Sequence, residues 1–278
     1  MAKRRARWTL DDIPWDQFDP SRVDDEALQV VKTASLVEYN GGRYATYLCA
    51  VFDDDAAFQA DAIVWAREEE QHGAALARWA TMADPHYDFK RSFARFAEQQ
   101  QLPKRPERSV RGSRCGELVA RCMVEVGTSS YYTAIGEATD EPVLKAICRH
   151  VAADELRHFK LFYTYLKRYE KLERIGFWRR LVVALGRIGE TEDDELAYAY
   201  HTANSGHRPY NRRQANRAYM KRAYSFYRPH HVARGTAMIF KALGLRPNGR
   251  LCSLATKLGC RFVKSRSRRL SAANGSVG

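Results

Sequence analysis

The chain has 278 residues, of which 45% are apolar, 9 are proline and 17 are glycine, so its composition predicts a globular protein with one large core. Its apolar runs fall short of the roughly 18 residues of a membrane span, and the basic start lacks the apolar stretch of a secretory signal. The six cysteines show no Cys-x-x-Cys spacing, which predicts reduced thiols in a cytoplasmic protein.

Positive charge is concentrated in the last third of the chain. The net charge is +13, yet residues 196–278 contain 17 Arg and Lys and no Asp or Glu. Residues 1–195 therefore hold 29 basic and all 33 acidic residues and are mildly acidic. Such a one-sided basic block predicts an anionic partner, whether an acidic protein, a membrane surface or a nucleic acid.

The first 23 residues predict an arm without regular structure. Trp8, Ile13, Trp15 and Phe18 are apolar points among polar residues, and two prolines and several aspartates interrupt any helical pattern. We expect the apolar points to hold this arm, residues 1–23, against the body of the protein.

A first long helix is predicted from Asp24 or Asp25, both good N-cap residues, to about Phe52. The pair Gly41-Gly42 interrupts the pattern late in this helix. Two adjacent glycines indicate either room for a neighbouring helix or a local bulge in the helix. The third possibility is that the helix simply tolerates them.

Three more long helices follow. They are predicted over about Ala56–Met82, Cys115–Ala138 and Glu141–Ile175. The segment between the first two of these is irregular and basic, apart from a short helix near Phe89–Gln101. The chain therefore predicts two helical hairpins joined by a loop.

The C-terminal part remains helical in shorter pieces. The domain organisation predicted from these patterns is an arm (1–23), a four-helix bundle (24–176), a basic helical extension (177–264) and a disordered tail (265–278). The extension contains five predicted helices: Trp178–Gly189, Asp193–Asn204, Asn211–Tyr227, His230–Leu243 and Arg250–Val263.

Two Glu-x-x-His motifs occur within the long helices. Glu69 precedes His72 by three residues, and Glu155 precedes His158 by the same interval. On a helix, side chains three residues apart leave the same face, so each pair could hold one metal ion. A single motif is weak evidence, because glutamate and histidine are common.

Each motif also follows a helix that carries one suitably placed glutamate. Glu38 lies 31 residues before Glu69, and Glu125 lies 30 residues before Glu155. The same half-site therefore occurs twice, as expected for two hairpins packed about a pseudo-twofold axis. Four carboxylates and two imidazoles from four helices form the ligand set of di-iron or di-manganese bundles. This oxygen and nitrogen set suits iron or manganese better than zinc.

Glu69 and Glu155 are predicted to bridge the two ions, because the histidine of each motif fixes one ion. The glutamates of the two preceding helices then complete the set. Glu68 lies four residues before His72 and is the alternative ligand on that helix. Several carboxylates on an apolar stripe would be costly to bury without a metal, so we favour a metal site over solvated helix faces.

Other polar residues are weighed against this set. Asp154 is predicted to orient a ligating histidine from behind. His201 and the pair His230-His231 have no partner at ligand spacing and are expected to be ordinary core or surface residues. Basic and aromatic residues alternate over residues 210–231, which could suit a nucleic acid, but we favour an amphipathic helix with its aromatic residues towards the body and its basic residues in water.

Three segments carry a resemblance to a known family. WAREEEQHGAAL resembles the Trp-x-x-Glu-Glu-x-x-His-Gly segment of the soluble acyl-carrier-protein desaturases, which belong to the ferritin-like superfamily. CMVEVGTSSYY and ICRHVAADELRH are similar to that family's third-helix and fourth-helix motifs. The resemblance covers roughly residues 25–175 and fades in the C-terminal third.

The resemblance implies an all-α, ferritin-like four-helix bundle with additional C-terminal helices. It implies two Fe ions (Fe2+/Fe3+) that use O2 as co-substrate to desaturate or hydroxylate a fatty acyl chain carried on acyl carrier protein. A ferredoxin-type electron donor and a homodimer are expected with it. Thr128, one turn after Glu125, matches the family's threonine beside the oxygen-binding face and would assist proton delivery. Its alternative role is an ordinary helix hydroxyl that bonds the preceding turn.

Other functions remain open from the sequence. One is a di-iron oxygenase that acts on another substrate. A second is a non-catalytic ferritin-like iron-binding protein, and a third is a nucleic-acid-binding helical protein with a structural metal site. The basic C-terminal block is expected to meet acyl carrier protein or another acidic partner, rather than a nucleic acid, and no membrane span is expected.

Overall fold

Helices make up all the regular secondary structure in the part of the chain that is described. The structure is a computed structural model and describes residues 8–99, 109–189, 194–206 and 208–272. The α-helices are α1 (Asp25–Tyr39), α2 (Gly41–Val51), α3 (Ala56–Ala83), α4 (Phe89–Gln99), α5 (Arg114–Ala138), α6 (Pro142–Glu173), α7 (Phe177–Gly189), α8 (Asp194–Asn204), α9 (Arg212–Phe226), α10 (Pro229–Ala242) and α11 (Arg250–Ala272). The predicted all-α class is confirmed.

Side-chain caps begin the four helices on which the predicted ligands lie. Asp24 accepts a hydrogen bond from the backbone of Ala27 at the start of α1, and Asp55 does the same for α3. Ser113 caps α5, and Glu141 caps α6 just before Pro142. Each cap satisfies a backbone N–H that the first helical turn leaves without a partner, which sets the start of the helix.

The first predicted helix is divided in two. We predicted one helix from Asp24 to about Phe52, whereas α1 ends at Tyr39 and α2 begins at Gly41. A Cβ added at Gly41 would lie 2.6 Å from the Cβ of Glu69, so the glycine lets α2 approach α3 closely. The glycine pair therefore makes room for a neighbouring helix, and the chain is interrupted where the two helices touch.

The helices pack as pairs around a polar layer. α1 lies against α3, α5 lies against α6, and α3 contacts α6. Two separate clusters of buried apolar side chains fill the space between them. On α3, Phe58–Ala66 belong to one cluster and Ala75–Ala80 to the other, so Glu69 and His72 lie between them. The predicted ligands thus lie where the apolar core is interrupted.

The arm contacts the body through its predicted apolar residues. Trp8 and Ile13 are each 3% exposed, and Trp15 stacks on the guanidinium of Arg78. Three short 3-10 turns (Leu10–Asp12, Trp15–Gln17 and Pro20–Arg22) replace the irregular structure that we predicted. Aspartate side chains bond the local backbone in these turns, which makes them stable without a continuing helix. Residues 1–7 of the predicted arm lie outside the described residues.

The C-terminal helices cover the body, and the last one is longer than predicted. α8 packs on α1 and α9, α10 packs on α5, and α11 packs on α9 and α10. We predicted a disordered tail over 265–278, but α11 continues to Ala272 because Leu270 is buried in the larger apolar cluster. Residues 273–278 lie outside the described residues. No described helix combines the length and the hydropathy needed to cross a membrane.

Gly73 provides a test of the close approach of α1 to α3. A Cβ at Gly73 would lie 2.4 Å from the backbone nitrogen of Tyr39, and backbone atoms of a packed helix cannot give way easily. We expect Gly73→Ala to destabilise the protein by about 1–3 kcal/mol and to weaken metal binding, because α1 carries Glu38. The free energy of unfolding and the bound metal are measured on the same sample.

Gly127 is the matched control. It lies inside α5, and a Cβ added there meets nothing within 4 Å. Gly127→Ala should stabilise the helix by about 0.5–1 kcal/mol, as expected for an unhindered helical glycine. Equal effects of the two substitutions would show that helix propensity, and not the α1–α3 contact, determines the result.

Candidate metal centre

The six predicted ligands lie together in the polar layer between the two apolar clusters. None is more than 7% exposed. Their potential ligand atoms form two groups, and within each group these atoms lie within 4.8 Å of one another. The first group is Glu38, Glu69, His72 and Glu155, and the second is Glu69, Glu125, Glu155 and His158. The described clusters could hold metal ions, and the two shared glutamates are compatible with a dinuclear centre.

His72 faces the first group through Nδ1. This atom lies 3.3 Å from a carboxylate oxygen of Glu155, 3.6 Å from Glu69 and 3.7 Å from Glu38. His158 Nδ1 faces the second group in the same way, 3.1 Å from Glu69 and 3.6 Å from Glu125. The two imidazoles therefore point their Nδ1 atoms at the two shared carboxylates from opposite helices.

Several of the inward-facing atoms have no hydrogen-bond partner among the described residues. They are Nδ1 of His72 and of His158, both carboxylate oxygens of Glu125, and Oε1 of Glu155. Buried polar atoms are almost always paired, so a group of orphans in one place requires an explanation. A cation at the centre would accept all of these lone pairs, and the donor set therefore fits a metal.

The pKa values of the buried glutamates in this layer are shifted in opposite directions. Burial, together with the charges of Glu69 and Glu155, raises the pKa of Glu38 well above its ordinary value. Burial and the charge of Glu155 also raise the pKa of Glu125. Burial alone would raise the pKa of Glu69, but its contacts with Glu38 and both imidazoles lower the pKa well below the ordinary value. The pKa of the shared Glu69 is thus shifted down and the pKa values of Glu38 and Glu125 are shifted up.

Asp154 lies behind His72, on the side away from the centre. Its Oδ2 is 3.1 Å from Nε2 of His72 and accepts a 2.8 Å hydrogen bond from the indole of Trp8. Burial opposes ionisation of Asp154, but its bonds to His72, Trp8 and Arg157 lower the pKa to about 2. An ionised Asp154 accepts a hydrogen bond from the Nε2–H of His72, which keeps the proton on Nε2 and leaves Nδ1 free to bind a metal.

Glu68 has the corresponding position behind His158. Its Oε2 lies 2.7 Å from Nε2 of His158, so Glu68 bonds to the outer nitrogen and does not belong to either ligand group. We considered Glu68 as the alternative ligand of its helix, and the structure assigns it this supporting position instead. Arg157 contacts both Glu68 and Asp154 and so joins the two supports.

Thr128 and Tyr132 contact the ligands from α5. Thr128 donates a 2.6 Å hydrogen bond to Oε2 of Glu155, and its hydroxyl also approaches the carbonyl oxygens of Val124 and Glu125. Tyr132 donates a 2.6 Å hydrogen bond to Glu38. Sequence reasoning missed Tyr132, although it lies seven residues after Glu125 and hence on the same helical face.

We also did not predict Trp8, Glu68 and Arg157 as supports of the centre. Trp8 reaches Asp154 across 146 residues of chain, which no local pattern reveals. Glu68 and Arg157 could have been found from the motifs, since each is adjacent to a predicted ligand.

The three other histidines that were considered from the sequence have contacts of their own. His230 and His231 approach Glu137 with Nε2 at 2.8 and 3.0 Å, and Nδ1 of His231 accepts from the backbone of Arg228. His201 is buried against aromatic rings. Hydrogen bonding between α5 and α10 thus accounts for the Glu137 group, which is the third described cluster of potential metal ligands.

Comparisons with known proteins do not assign a family. No protein-family model matches the chain, and no curated protein sequence matches it. The proposals below therefore depend on the residues of this chain.

The three adjacent glutamates of α3 provide a direct test of the ligand set. Glu69→Gln should reduce bound iron from about two ions per chain to one or none, because a shared carboxylate is replaced by a neutral amide. Glu70→Gln should leave the metal content unchanged, since Glu70 is exposed and belongs to neither ligand group. Metal analysis after reconstitution and desalting measures both.

Glu68→Gln should give an intermediate result. Two ions should still bind at saturating iron, but affinity should fall about 10–100-fold, as expected for loss of a bond that orients a ligand. Loss of metal in Glu70→Gln with full occupancy in Glu69→Gln would contradict the helical register described above.

Proposed function

We propose that this chain is a ferritin-like four-helix bundle with a di-iron centre that oxidises a fatty acyl chain with O2, by desaturation or hydroxylation. The observation that carries the proposal is the pair of overlapping ligand groups, which share Glu69 and Glu155. We propose acyl carrier protein as the carrier of the acyl chain and a ferredoxin-type protein as the source of electrons.

The donor set supports iron as the metal. Carboxylate oxygens and neutral imidazoles suit iron or manganese, whereas zinc sites favour thiolates, and none of the six cysteines belongs to the ligand groups. The chemistry that bound iron would supply is reduction of O2. In desaturation, two hydrogens from the acyl chain and two electrons and two protons from outside convert O2 to two waters.

The protein's own residues would hold the centre in shape and deliver protons. Asp154 and Glu68 fix the direction of His72 and His158, so that both Nδ1 atoms stay turned inwards. The hydroxyl of the half-buried Thr128 donates a 2.6 Å hydrogen bond to Glu155. The apolar clusters on both sides limit the entry of water, which protects a reactive centre from side reactions.

A basic cleft supports the choice of an acidic carrier. The cleft, of about 1140 Å3, lies between α1, α4, α8 and α9. Arg91, Arg213, Arg217 and Lys221 line it, and none of these four forms an ion pair with a described acidic residue. Such a surface would attract an acidic protein and increase its rate of association, especially at low salt.

The test combines metal, electrons and acyl substrate. Iron-loaded protein with a reductase and ferredoxin should convert acyl chains on acyl carrier protein to desaturated or hydroxylated products, identified by mass spectrometry of the released chains. Glu69→Gln should give none. Product from free fatty acids or lipids, but not from acyl chains on the carrier, would contradict the proposal that acyl carrier protein delivers the substrate. The proposal of acyl-chain oxidation would remain. Iron uptake without any product would favour the non-catalytic alternative.

Thr128 has a separate expected effect. Thr128→Val removes the hydroxyl that bonds Glu155 and keeps the side-chain volume. We expect iron content to be unchanged while the ratio of product formed to O2 consumed falls several-fold, because protons no longer arrive in step with electrons. Thr133→Val is the control, since the Thr133 hydroxyl bonds only the preceding turn of the same helix. An unchanged ratio in Thr128→Val would remove the proposed role.

A further inference from the structure

Two C-terminal helices expose most of the protein's outward-facing apolar side chains. Fourteen large hydrophobic residues are exposed among the described residues, and eight of them lie on α7 and α11. Single exposed apolar residues are ordinary on a protein surface, but a cluster of them marks an interaction site.

α11 presents an apolar stripe to solvent. Leu251, Leu254, Leu258 and Phe262 are 54–69% exposed. Their spacing of three, four and four residues places them on one face of the helix. A neighbouring face is used for packing: Cys252 and Leu270 are buried, and Gly259 lies against Val232 of α10. Phe262 meets the ring of Tyr224 on α9 edge-on, yet all four residues of the stripe remain more than half exposed.

A basic row runs beside this stripe. Lys257, Arg261, Lys264 and Arg268 are all exposed and follow a spacing of four, three and four residues. α11 contains no acidic residue to neutralise them. Long basic side chains beside leucine and phenylalanine can keep their charged ends in a polar layer while the apolar residues enter a less polar one.

α7 has the same character. Trp178, Val182 and Leu185 are 75%, 69% and 59% exposed and share one face of the helix. α7 contains three arginines and no acidic residue. Its Arg180 lies close to Gly244, which belongs to the segment between α10 and α11.

Charge distinguishes between the possible occupants of these faces. A second copy of the chain would bring two basic, acid-free helices together and oppose association. An acidic protein would satisfy the charges but not an apolar stripe four residues long with a separate exposed tryptophan. An anionic lipid surface offers both phosphate groups and an apolar layer, and basic helices with Trp, Phe and Leu on one face bind such surfaces.

We propose that the exposed faces of α7 and α11 dock this protein on an anionic membrane surface, without crossing it. The leucines of α11 and Trp178 of α7 enter the boundary between headgroups and acyl chains. The basic row of α11 remains at the level of the phosphates. The proposal does not depend on the metal centre or its reaction.

Vesicle sedimentation tests this docking with full-length, metal-loaded protein. We expect binding to phosphatidylcholine vesicles that contain about 30% phosphatidylglycerol and little binding to pure phosphatidylcholine. Reversal of Lys257, Arg261, Lys264 and Arg268 to Glu should weaken binding at least about 100-fold, because each basic residue near an anionic surface contributes roughly fivefold. Leu254→Ser with Leu258→Ser should weaken it at least about tenfold by removing apolar contact.

Matched controls keep net charge and hydrophobicity comparable. Reversal of Lys145, Arg149, Lys160 and Lys171, which are exposed on α6, changes the charge by the same amount and should leave most of the binding. Ile63→Ser with Val64→Ser removes two exposed apolar residues of α3 and should have little effect. Helical content and bound metal show that each variant is folded.

Trp178 reports the depth of docking directly. Lipids brominated on their acyl chains should quench its fluorescence, and Trp178→Phe should remove most of the quenching, because Trp8, Trp65 and Trp79 are buried and Trp15 is half-buried against Arg78. Equal binding by the α6 and α11 charge variants would overturn the proposal. The absence of vesicle binding would also overturn it. The α11 leucines would then stabilise a dimer or contact an acidic protein instead.

Discussion

The cost of burying four carboxylates in one layer is the constraint on which the rest of the structure depends. Glu38, Glu69, Glu125 and Glu155 have almost no access to water, and mutual repulsion makes full ionisation without a cation very unfavourable. Burial and this repulsion raise the pKa values of Glu38 and Glu125 well above their ordinary values. Two divalent cations would carry four positive charges and balance the four carboxylates fully, while the neutral imidazoles complete the coordination. Two divalent ions would therefore neutralise the charge of the ligand set, which is unbalanced without them.

The supports of this layer repeat across the two helical hairpins. The acidic residue immediately before each shared glutamate bonds the histidine of the other motif: Asp154 holds His72, and Glu68 holds His158. Each motif thus supplies a histidine to one ligand group and a carboxylate that orients the histidine of the other group. Arg157 contacts both orienting carboxylates, so the two half-sites are joined outside the centre as well as within it. The symmetry is broken at Asp154, where the arm adds a hydrogen bond from Trp8.

The helices and the group of candidate ligands could be predicted because their signals are local and repeated. Capping residues such as Asp24 and Glu141 set helix starts, and the spacing of Glu69 with His72 fixes a shared face. Glu68 could have been recognised as a support from its position beside Glu69, but the break at Asn40 could not be placed, because it depends on which neighbouring helix comes near. Trp8 depends on the path of an arm across the body. Leu270 extends the last helix through burial against distant residues, so a terminal sequence rich in Arg and Ser gave the wrong boundary.

Basic residues of the C-terminal block lie on two surfaces, the cleft and the exposed face of α11. The two surfaces differ in the uncharged side chains that lie between the basic residues. In the cleft, Arg213 and Arg217 lie among polar and aromatic groups such as Tyr87 and Asn204, which can pair with a folded acidic partner. On α11, the basic row borders exposed leucines. Transfer of these leucines from water to an apolar phase is favourable, whereas contact with a polar partner does not bring this stabilisation. Net charge attracts any polyanion and therefore does not choose between partners. The neighbouring uncharged side chains make that choice, so a protein carrier and a lipid surface could bind to one basic block at different places.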